Sequence, residues 1–204
     1  MGFYEAQVLP RAVHVLLGTP GMARIRRPAL AGLSGTVVEL GFGSGSNVGL
    51  YPPAVERVLA VEPNATARHL AGRRLERHPE PPVEWVGLDG ARVPLPAATA
   101  DAVLATFTLC TIPDLDAALG EARRLLRPGG AVHFLEHGLA PDPGVARRQR
   151  RLEPLQKRLG GGCHLTRDAP TALERAGFRL AELHRFRAGS AVLGTMSAGR
   201  AVRP

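Results

Sequence analysis

Short apolar runs of strand length alternate along the chain with segments of helical periodicity. Strands buried in a parallel sheet are nearly continuous apolar runs, and the helices that connect them are amphipathic. The pattern predicts five successive strands, at residues 37–40, 57–61, 83–87, 102–106 and 131–136. We therefore expect an α/β fold with helices on both faces of one sheet.

Polar caps and glycines predict where the helices begin and end. Asn64 precedes a stripe of Ala and Leu residues that runs to about Arg77. Asp114 precedes a second apolar stripe, which the Pro-Gly-Gly sequence at residues 128–130 brings to an end. Side-chain oxygens at such positions accept hydrogen bonds from the first backbone N–H groups of a helix, and Pro and Gly stop it. Both helices are consequently predicted with defined starts.

The pattern changes after the fifth strand. A third helix is predicted at about 168–176, and two long strand patterns, at 178–187 and 190–202, flank Ala188-Gly189. A tight turn between two such strands is typical of an antiparallel hairpin. The expected sheet has seven strands and is mostly parallel, with an antiparallel C-terminal hairpin.

Length and composition fit one globular domain. The chain has 204 residues, of which 45% are hydrophobic and 22% charged, and cores usually divide only above about 200 residues. No repeat or linker interrupts the sequence, so we predict a single domain over residues 1–204.

The net charge is +8, from 26 Lys and Arg against 18 Asp and Glu, and Lys157 is the only lysine. The arginines are scattered from Arg11 to Arg203, so they make no strong case for nucleic-acid binding. Two cysteines exclude a secreted disulfide framework, and the apolar stretch at 13–17 is too short to span a membrane. We therefore expect a cytoplasmic protein without a transmembrane segment.

A glycine-rich loop follows the first strand, with glycine at positions 41, 43 and 45. Glycines at alternate positions let the backbone approach a ligand at the carboxyl ends of the strands. A dinucleotide-binding loop would require glycine at position 46 or 48, which are Ser46 and Val48 in this chain. A phosphate-binding Walker loop would require a lysine directly after the loop, and no lysine stands there. The next strand ends in Glu62, where an acid can accept two hydrogen bonds from a ribose diol.

Glu39 with the glycine loop resembles the first motif of the class I S-adenosylmethionine-dependent methyltransferases, which have a Rossmann-like fold. The resemblance implies S-adenosyl-L-methionine as cofactor, and Asp89 would contact its adenine. The expected cofactor-binding residues are Tyr4, Glu39, Gly41, Gly43, Gly45, Asn47, Glu62, Pro63, Asp89, Gly90 and Thr106.

Further motifs are similar to the alkyl thiol methyltransferase branch, which contains the methyltransferase-like seven proteins. These motifs include Glu136-His137 and the Gly-Cys-His-Leu-Thr-Arg sequence at 162–167. The resemblance implies methylation of a small, lipophilic acceptor, most simply a thiol. His137, which follows the fifth strand, is the first candidate to assist ionisation of the thiol, and His164 is the second. The branch begins with a membrane-anchoring hydrophobic segment that is not found in this sequence.

The two cysteines favour a structural interpretation over a chemical one. Cys110 and Cys163 are most simply small buried hydrophobic residues. Beyond the adjacent Cys163-His164, no Cys or His pair has the spacing typical of metal ligands. We therefore expect no metal site.

Two outer segments are expected to shape the acceptor pocket. Residues 1–30 would form an N-terminal helical lid, and residues 141–165 an inserted segment that caps the acceptor. Within the insertion, the basic helix with Arg147 to Arg158 on its polar face also allows peripheral contact with an anionic membrane. A methyltransferase for a phospholipid head-group amine or a quinone is the alternative enzyme. A non-catalytic cofactor-binding or RNA-binding module is the alternative of a different class.

Overall fold

Within residues 2–190 and 192–204, which the computed structural model describes, seven strands form one sheet in the order β3-β2-β1-β4-β5-β7-β6. Their bounds are β1 Gly35–Leu40, β2 Val55–Val61, β3 Val83–Gly87, β4 Ala100–Thr106, β5 Leu126–His137, β6 Arg179–Arg187 and β7 Thr195–Val202. The first five strands pair in parallel, and β7 pairs antiparallel with both β5 and β6. The predicted fold class is confirmed.

The strand order reverses at β1, which pairs with β2 on one side and with β4 on the other. In open α/β sheets, ligands bind at the carboxyl ends of the strands beside such a reversal. The loops that follow β1, β2, β4 and β5 all emerge at that edge. The sheet therefore places the glycine loop and His137 at the same edge.

Helices connect the strands and cover both faces of the sheet. A π-helical turn, Tyr4–Val8, leads into α1 Leu9–Leu17, and the further helices are α2 Pro20–Leu30, α3 Ala65–Arg77, α4 Leu115–Leu125, α5 Pro143–Leu159 and α6 Ala169–Arg175. The caps are confirmed, because Asn64 accepts from Ala67 N at 3.0 Å and Asp114 accepts from Ala117 N at 3.0 Å.

The hydrophobic core lies in two layers, one on each side of the sheet. Helices α4 and α6 pack on one face with Phe134, whereas α2 and α3 pack on the other with Leu135. Successive residues of a strand point to opposite faces, so β5 contributes to both layers. This two-sided burial explains why the central strands are continuous apolar runs.

Two predicted strand starts are wrong by about five residues, and the other strand bounds differ by at most two. The fifth strand begins at Leu126, not at residue 131, because the segment predicted as a helix stop is already held by the C-terminus: Gly129 N donates to Arg203 O and Arg203 N donates to Gly130 O. The last strand begins at Thr195, because Gly194 N donates to Ser190 O and closes a turn there. Met1 of the predicted lid and Ala191 of the predicted last strand lie outside the described residues.

The described part of the chain contains no helix that is both long enough and apolar enough to cross a membrane.

Candidate functional site

The glycine loop after β1 combines close packing on one side with open space on the other. Gly41, Gly43 and Gly45 have φ angles of 66°, 59° and 73°, in the left-handed region that favours glycine. A Cβ atom at Gly41 would collide with the Thr108 side chain, whereas one at Gly43 would meet nothing closer than 3.8 Å. Gly41 is thus required for packing, and Gly43 leaves room for a ligand against the backbone.

Glu62 closes the loop from the end of β2. Its side chain is buried, Oε2 accepts from Gly43 N at 2.7 Å and Oε1 accepts from Asn64 N at 2.8 Å. Burial raises the pKa of Glu62, although both backbone hydrogen bonds oppose the shift. Each carboxylate oxygen retains a second lone pair that can accept a ligand hydroxyl. The sequence therefore placed Glu62 correctly beside the glycine loop.

Glu39, Asn47 and Thr106 form a buried network beneath the loop. Asn47 Nδ2 donates to Glu39 Oε1 at 2.9 Å and to Thr106 Oγ1 at 3.0 Å, and the Tyr51 hydroxyl donates to Glu39 Oε2. Desolvation by burial raises the pKa of Glu39 to about 7, against the opposing effect of these hydrogen bonds. The network supports the loop from below. Direct cofactor contacts of these three side chains stay a prediction.

Arg26 is a component of this network that sequence reasoning missed. It lies on α2, is 3% exposed, and donates through Nη1 to Thr106 Oγ1 at 2.7 Å and to Asn47 Oδ1 at 3.2 Å. Desolvation lowers the pKa of Arg26 to about 10, so it remains charged at neutral pH. The sequence did contain one indication that Arg26 is buried: it lies on the same helix face as the apolar residues Ala29 and Leu30.

Glu136 shapes the loop after β4. It is fully buried at the end of β5, where Oε1 accepts from Thr108 N and Leu109 N, both at 2.8 Å, and Oε2 accepts from Cys110 N at 3.2 Å. Burial raises the pKa of Glu136. Three backbone donors on one carboxyl group hold Cys110 above the end of β5.

Cys110, His137 and Cys163, here called the thiol–imidazole cluster, lie together at this edge of the sheet. Their ligating atoms lie within 4.8 Å of one another, with Cys163 Sγ 2.7 Å from His137 Nε2 and 3.5 Å from Cys110 Sγ. His137 Nδ1 is buried without a hydrogen-bond partner among the described residues. Both cysteines are buried, as predicted, but the structure also brings their sulfurs together with His137 as a set of metal-ligating atoms. The three residues come from separate segments of the chain, so their spacing in the sequence did not indicate the cluster.

The three side chains of the cluster shift one another's pKa values. The hydrogen bond between the Cys110 and Cys163 sulfurs lowers the pKa of Cys163 to about 4, with His137 acting in the same direction against desolvation. Burial alone would lower the pKa of His137, but the Cys163 sulfur and Glu136 outweigh it and raise that pKa. The hydrogen bond to Cys163, together with burial, raises the pKa of Cys110 well above its usual range. The two shifts favour the thiolate form of Cys163 and the protonated form of His137.

His164 lies outside the cluster although it adjoins Cys163 in sequence. Its Nδ1 pairs with Glu153 Oε1 of α5 at 3.1 Å, and Glu153 also accepts from Thr166 N at 2.9 Å. Glu153 and Thr166 line a cleft of about 480 Å³ that no residue of the glycine loop lines. His164 thus helps to hold α5 against the loop that contains Cys163.

The remaining predicted cofactor residues lie around the loop. Asp89 is exposed after β3, where its Oδ1 accepts from Ala91 N at 2.9 Å, and Gly90 approaches the end of β1. Pro63 is exposed directly after Glu62. The Tyr4 hydroxyl donates to Leu159 O at 2.7 Å, which joins the N-terminal segment to the end of α5.

The reversed strand order, the antiparallel C-terminal pair and the glycine loop held by Glu62 define a class I methyltransferase fold. Residues 38–134 match the family model described as a methyltransferase domain. Residues 38–134 thus carry a methyltransferase domain of the class I S-adenosylmethionine-dependent type, as the motifs predicted.

The chain is similar to named thiol S-methyltransferases. It is 34% identical to thiol S-methyltransferase TMT1B of Rattus norvegicus over 151 residues, which cover 72% of this chain and 62% of that protein. With TMT1B of Homo sapiens the identity is 35% over 170 residues, or 76% of this chain and 66% of that protein. The chain thus spans slightly less than two thirds of these relatives.

Solved structures share the fold at low sequence identity. Phosphoethanolamine N-methyltransferase 2 of Haemonchus contortus, solved in complex with S-adenosyl-L-methionine, has a TM-score of 0.70 at 12% identity. The match covers 96% of this chain and 56% of that one.

Proposed function

We propose that this chain transfers the methyl group of S-adenosylmethionine to the sulfur of a small, lipophilic thiol. The observation that carries the proposal is the thiol–imidazole cluster, which lies at the carboxyl ends of β4 and β5 beside the glycine loop. In open α/β sheets this edge holds the reacting groups. The similarity to named thiol S-methyltransferases supports sulfur as the acceptor atom.

The residues around the glycine loop fit the cofactor. Ser44 Oγ is buried in the loop without a partner among the described residues, and the face of Gly43 is open. A buried polar atom without a partner costs about 1–3 kcal/mol, and a bound ligand removes that cost. The residues that would hold S-adenosylmethionine are Tyr4, Gly41, Gly43, Gly45, Glu62, Pro63, Asp89 and Gly90. When bound, it supplies an electrophilic methyl carbon on a sulfonium.

The site's own residues have to align the acceptor and promote loss of its proton. Proximity and orientation carry much of the rate in such a displacement. The acceptor sulfur releases its S–H proton to the solvent and forms the new S–C bond with a lone pair. The electron pair of the broken sulfonium S–C bond remains on the donor sulfur, which becomes a neutral thioether. An ordinary thiol has a pKa near 8.5, so His137 and its neighbours need to stabilise the thiolate only modestly.

Two hydrogen bonds connect the predicted lid with the predicted cap and with the segment that follows β2. Tyr4 and Leu159 join the N-terminal segment to α5, and Asn64 Nδ2 donates to Glu5 O at 3.1 Å beside Glu62. Leu152, Leu155 and Leu159 on α5 are 42%, 55% and 52% exposed. An apolar stripe beside the acceptor edge suits a lipophilic acceptor. Peripheral membrane contact through Arg147 to Arg158 and a cytoplasmic location stay predictions.

An acceptor panel tests the proposal. The full chain is incubated with labelled S-adenosylmethionine and, separately, alkyl thiols, head-group amines and phenols or quinols, with Gly43→Val as the inactive control. We expect methylation of alkyl thiols. Turnover of amines or quinols without thiols would assign the alternative enzyme. Tight RNA binding that falls steeply with salt, with no turnover at all, would assign the non-catalytic module.

A further inference from the structure

We propose that Cys110, His137 and Cys163 form a binding site for one zinc-type divalent cation, with a fourth coordination position open to the acceptor sulfur. The three-ligand site rests on the geometry of the side chains. Binding of the acceptor sulfur at the fourth position also rests on the proposed function. No feature of the local sequence predicts such a site, since its ligands come from three segments of the chain.

The donor atoms lie close enough together to surround one small cation after a sub-ångström adjustment. Two sulfurs and one imidazole nitrogen lie within 4.8 Å of one another. With Zn–S and Zn–N bonds of about 2.3 and 2.0 Å, a tetrahedral ion places its two sulfurs about 3.8 Å apart and sulfur and nitrogen about 3.5 Å apart. Cys110 Sγ and Cys163 Sγ are 3.5 Å apart. Cys163 Sγ and His137 Nε2 are 2.7 Å apart, so binding of an ion would move them apart by about a further 0.8 Å.

The backbone holds the three ligands in place before any ion binds. His164 N donates to Cys110 O at 2.8 Å, which ties the Cys163 loop to the loop after β4. Cys110 N donates to Glu136, the residue that precedes His137 on β5. All three ligands are thus connected through short hydrogen-bonded links. Supporting hydrogen bonds of this kind orient metal ligands and reduce the entropic cost of binding.

The donor set selects the kind of ion. Thiolate and imidazole ligands favour zinc-type ions over Mg²⁺ or Ca²⁺, which prefer oxygen. Three protein ligands and one free position are the arrangement of catalytic zinc sites, whereas structural sites use four protein ligands. Two cysteine thiolates neutralise the double positive charge of the ion. The free position can therefore accept a further thiolate with little electrostatic penalty.

This geometry gives the acceptor thiol a direct route to ionisation. A thiol that coordinates such an ion is deprotonated outright. Its proton passes to the solvent, and its sulfur retains a lone pair for the methyl carbon. The resulting complex carries one negative charge beside the positive sulfonium. The site would thus position the acceptor and ionise it in a single binding step.

Cobalt spectroscopy tests the metal site without an activity measurement. The purified full chain, reduced and freed of metal, is titrated with Co²⁺. We expect one equivalent to bind, with a thiolate-to-cobalt charge-transfer band and the visible bands of a tetrahedral ion, and Zn²⁺ should displace it. Subsequent addition of butanethiol should strengthen the charge-transfer band and shift the visible bands.

Variants identify the ligands. Cys110→Ser and Cys163→Ser should each lose most of the charge-transfer band, and His137→Gln should change the visible bands. His184→Gln, which removes an exposed histidine of β6, is the matched control and should bind Co²⁺ like the parent chain. Binding of S-adenosylhomocysteine by calorimetry reports whether each variant is folded. The parent chain alone remains decisive if a variant does not fold.

The outcomes separate the two proposals. A parent chain without a charge-transfer band overturns the metal site, even if thiols are methylated. A cobalt spectrum that butanethiol leaves unchanged overturns the open fourth position. A normal cobalt spectrum without thiol methylation overturns the proposed function and leaves the three-ligand site supported.

Discussion

At the scale of single residues, Glu62 and Gly43 form the part of the site that we propose for the cofactor. Glu62 accepts hydrogen bonds from the loop with both oxygens and retains lone pairs for a ligand, while Gly43 leaves space against the backbone. The two positions therefore affect binding for different physical reasons, one through hydrogen bonding and one through volume.

Replacement of Glu62 should weaken binding of S-adenosylhomocysteine. We expect Glu62→Ala to cost about 1.5–3 kcal/mol, the usual range for hydrogen bonds that involve a charged group. Gly43→Val should abolish binding, because valine is strained at φ 59° and fills the open space. Calorimetry measures both, with exposed Glu56→Ala of β2 as control. An unchanged affinity in Glu62→Ala would remove this residue from the site.

Replacement of His137 should impair turnover without affecting the cofactor. We expect His137→Gln to lower turnover of an alkyl thiol by about 10²-fold at neutral pH. The deficit should shrink as the pH approaches about 8.5, where more of the acceptor is already thiolate. Steady-state assays over this pH range, with His184→Gln as control, measure it. Full activity at neutral pH would give His137 a structural role and leave His164 as the candidate.

At the scale of secondary-structure elements, the N-terminal helices are attached to the sheet through a charged side chain. Arg26 of α2 inserts between the glycine loop and β4, and its guanidinium lies 5.0 Å from the Phe107 ring centroid. Phe107 has a φ of 57°, unusual for a residue other than glycine. The packing of α2 therefore bears directly on the conformation of the loops that carry the site.

Loss of the Arg26 guanidinium should destabilise the protein. Arg26→Met leaves Asn47 Oδ1 buried without this donor, and we expect the free energy of unfolding to fall by about 1–3 kcal/mol. Arg24→Met, at an exposed position of the same helix, should stay within about 0.5 kcal/mol of the parent chain. Denaturant unfolding compares the two. Equal midpoints would show that α2 docks through its apolar face alone.

At the scale of the whole molecule, the buried carboxyl group of Glu39 links stability to pH. Its pKa of about 7 in the folded protein exceeds the value of 4.5 for a free side chain, chiefly because of desolvation. The folded state then binds more protons than the unfolded state between these values. Stability from this group is fully present below pH 4.5 and decreases as the pH rises to about 7.

Substitution of Glu39 should flatten this dependence. The stability of the parent chain relative to Glu39→Gln should decrease by roughly 3 kcal/mol between pH 4.5 and 7, since each unit of pKa shift corresponds to about 1.4 kcal/mol. Denaturant unfolding at several pH values gives the difference, and exposed Glu56→Gln provides the control. A difference that increases with pH would contradict the sign argued here.

The sequence by itself determined the sheet and the position of Glu62 beside the glycine loop, because both depend on local patterns. Apolar runs predict buried strands, Asn64 and Asp114 predict helix starts, and the glycine spacing followed by Glu62 predicts a ligand loop. These signals each lie within one element and its flanking loop. Even the antiparallel C-terminal pair followed from two strand patterns around Ala188-Gly189.

Only the tertiary structure decided which distant side chains meet. Cys110, His137 and Cys163 are separated by 27 and 26 positions and come together because β4 and β5 are adjacent and the chain returns after α5. Arg26 looks in sequence like any other arginine, and only its insertion beside Asn47 gives it a role. The early start of β5 likewise depends on hydrogen bonds to Arg203. Such contacts follow from packing between elements, for which a single sequence has no local pattern.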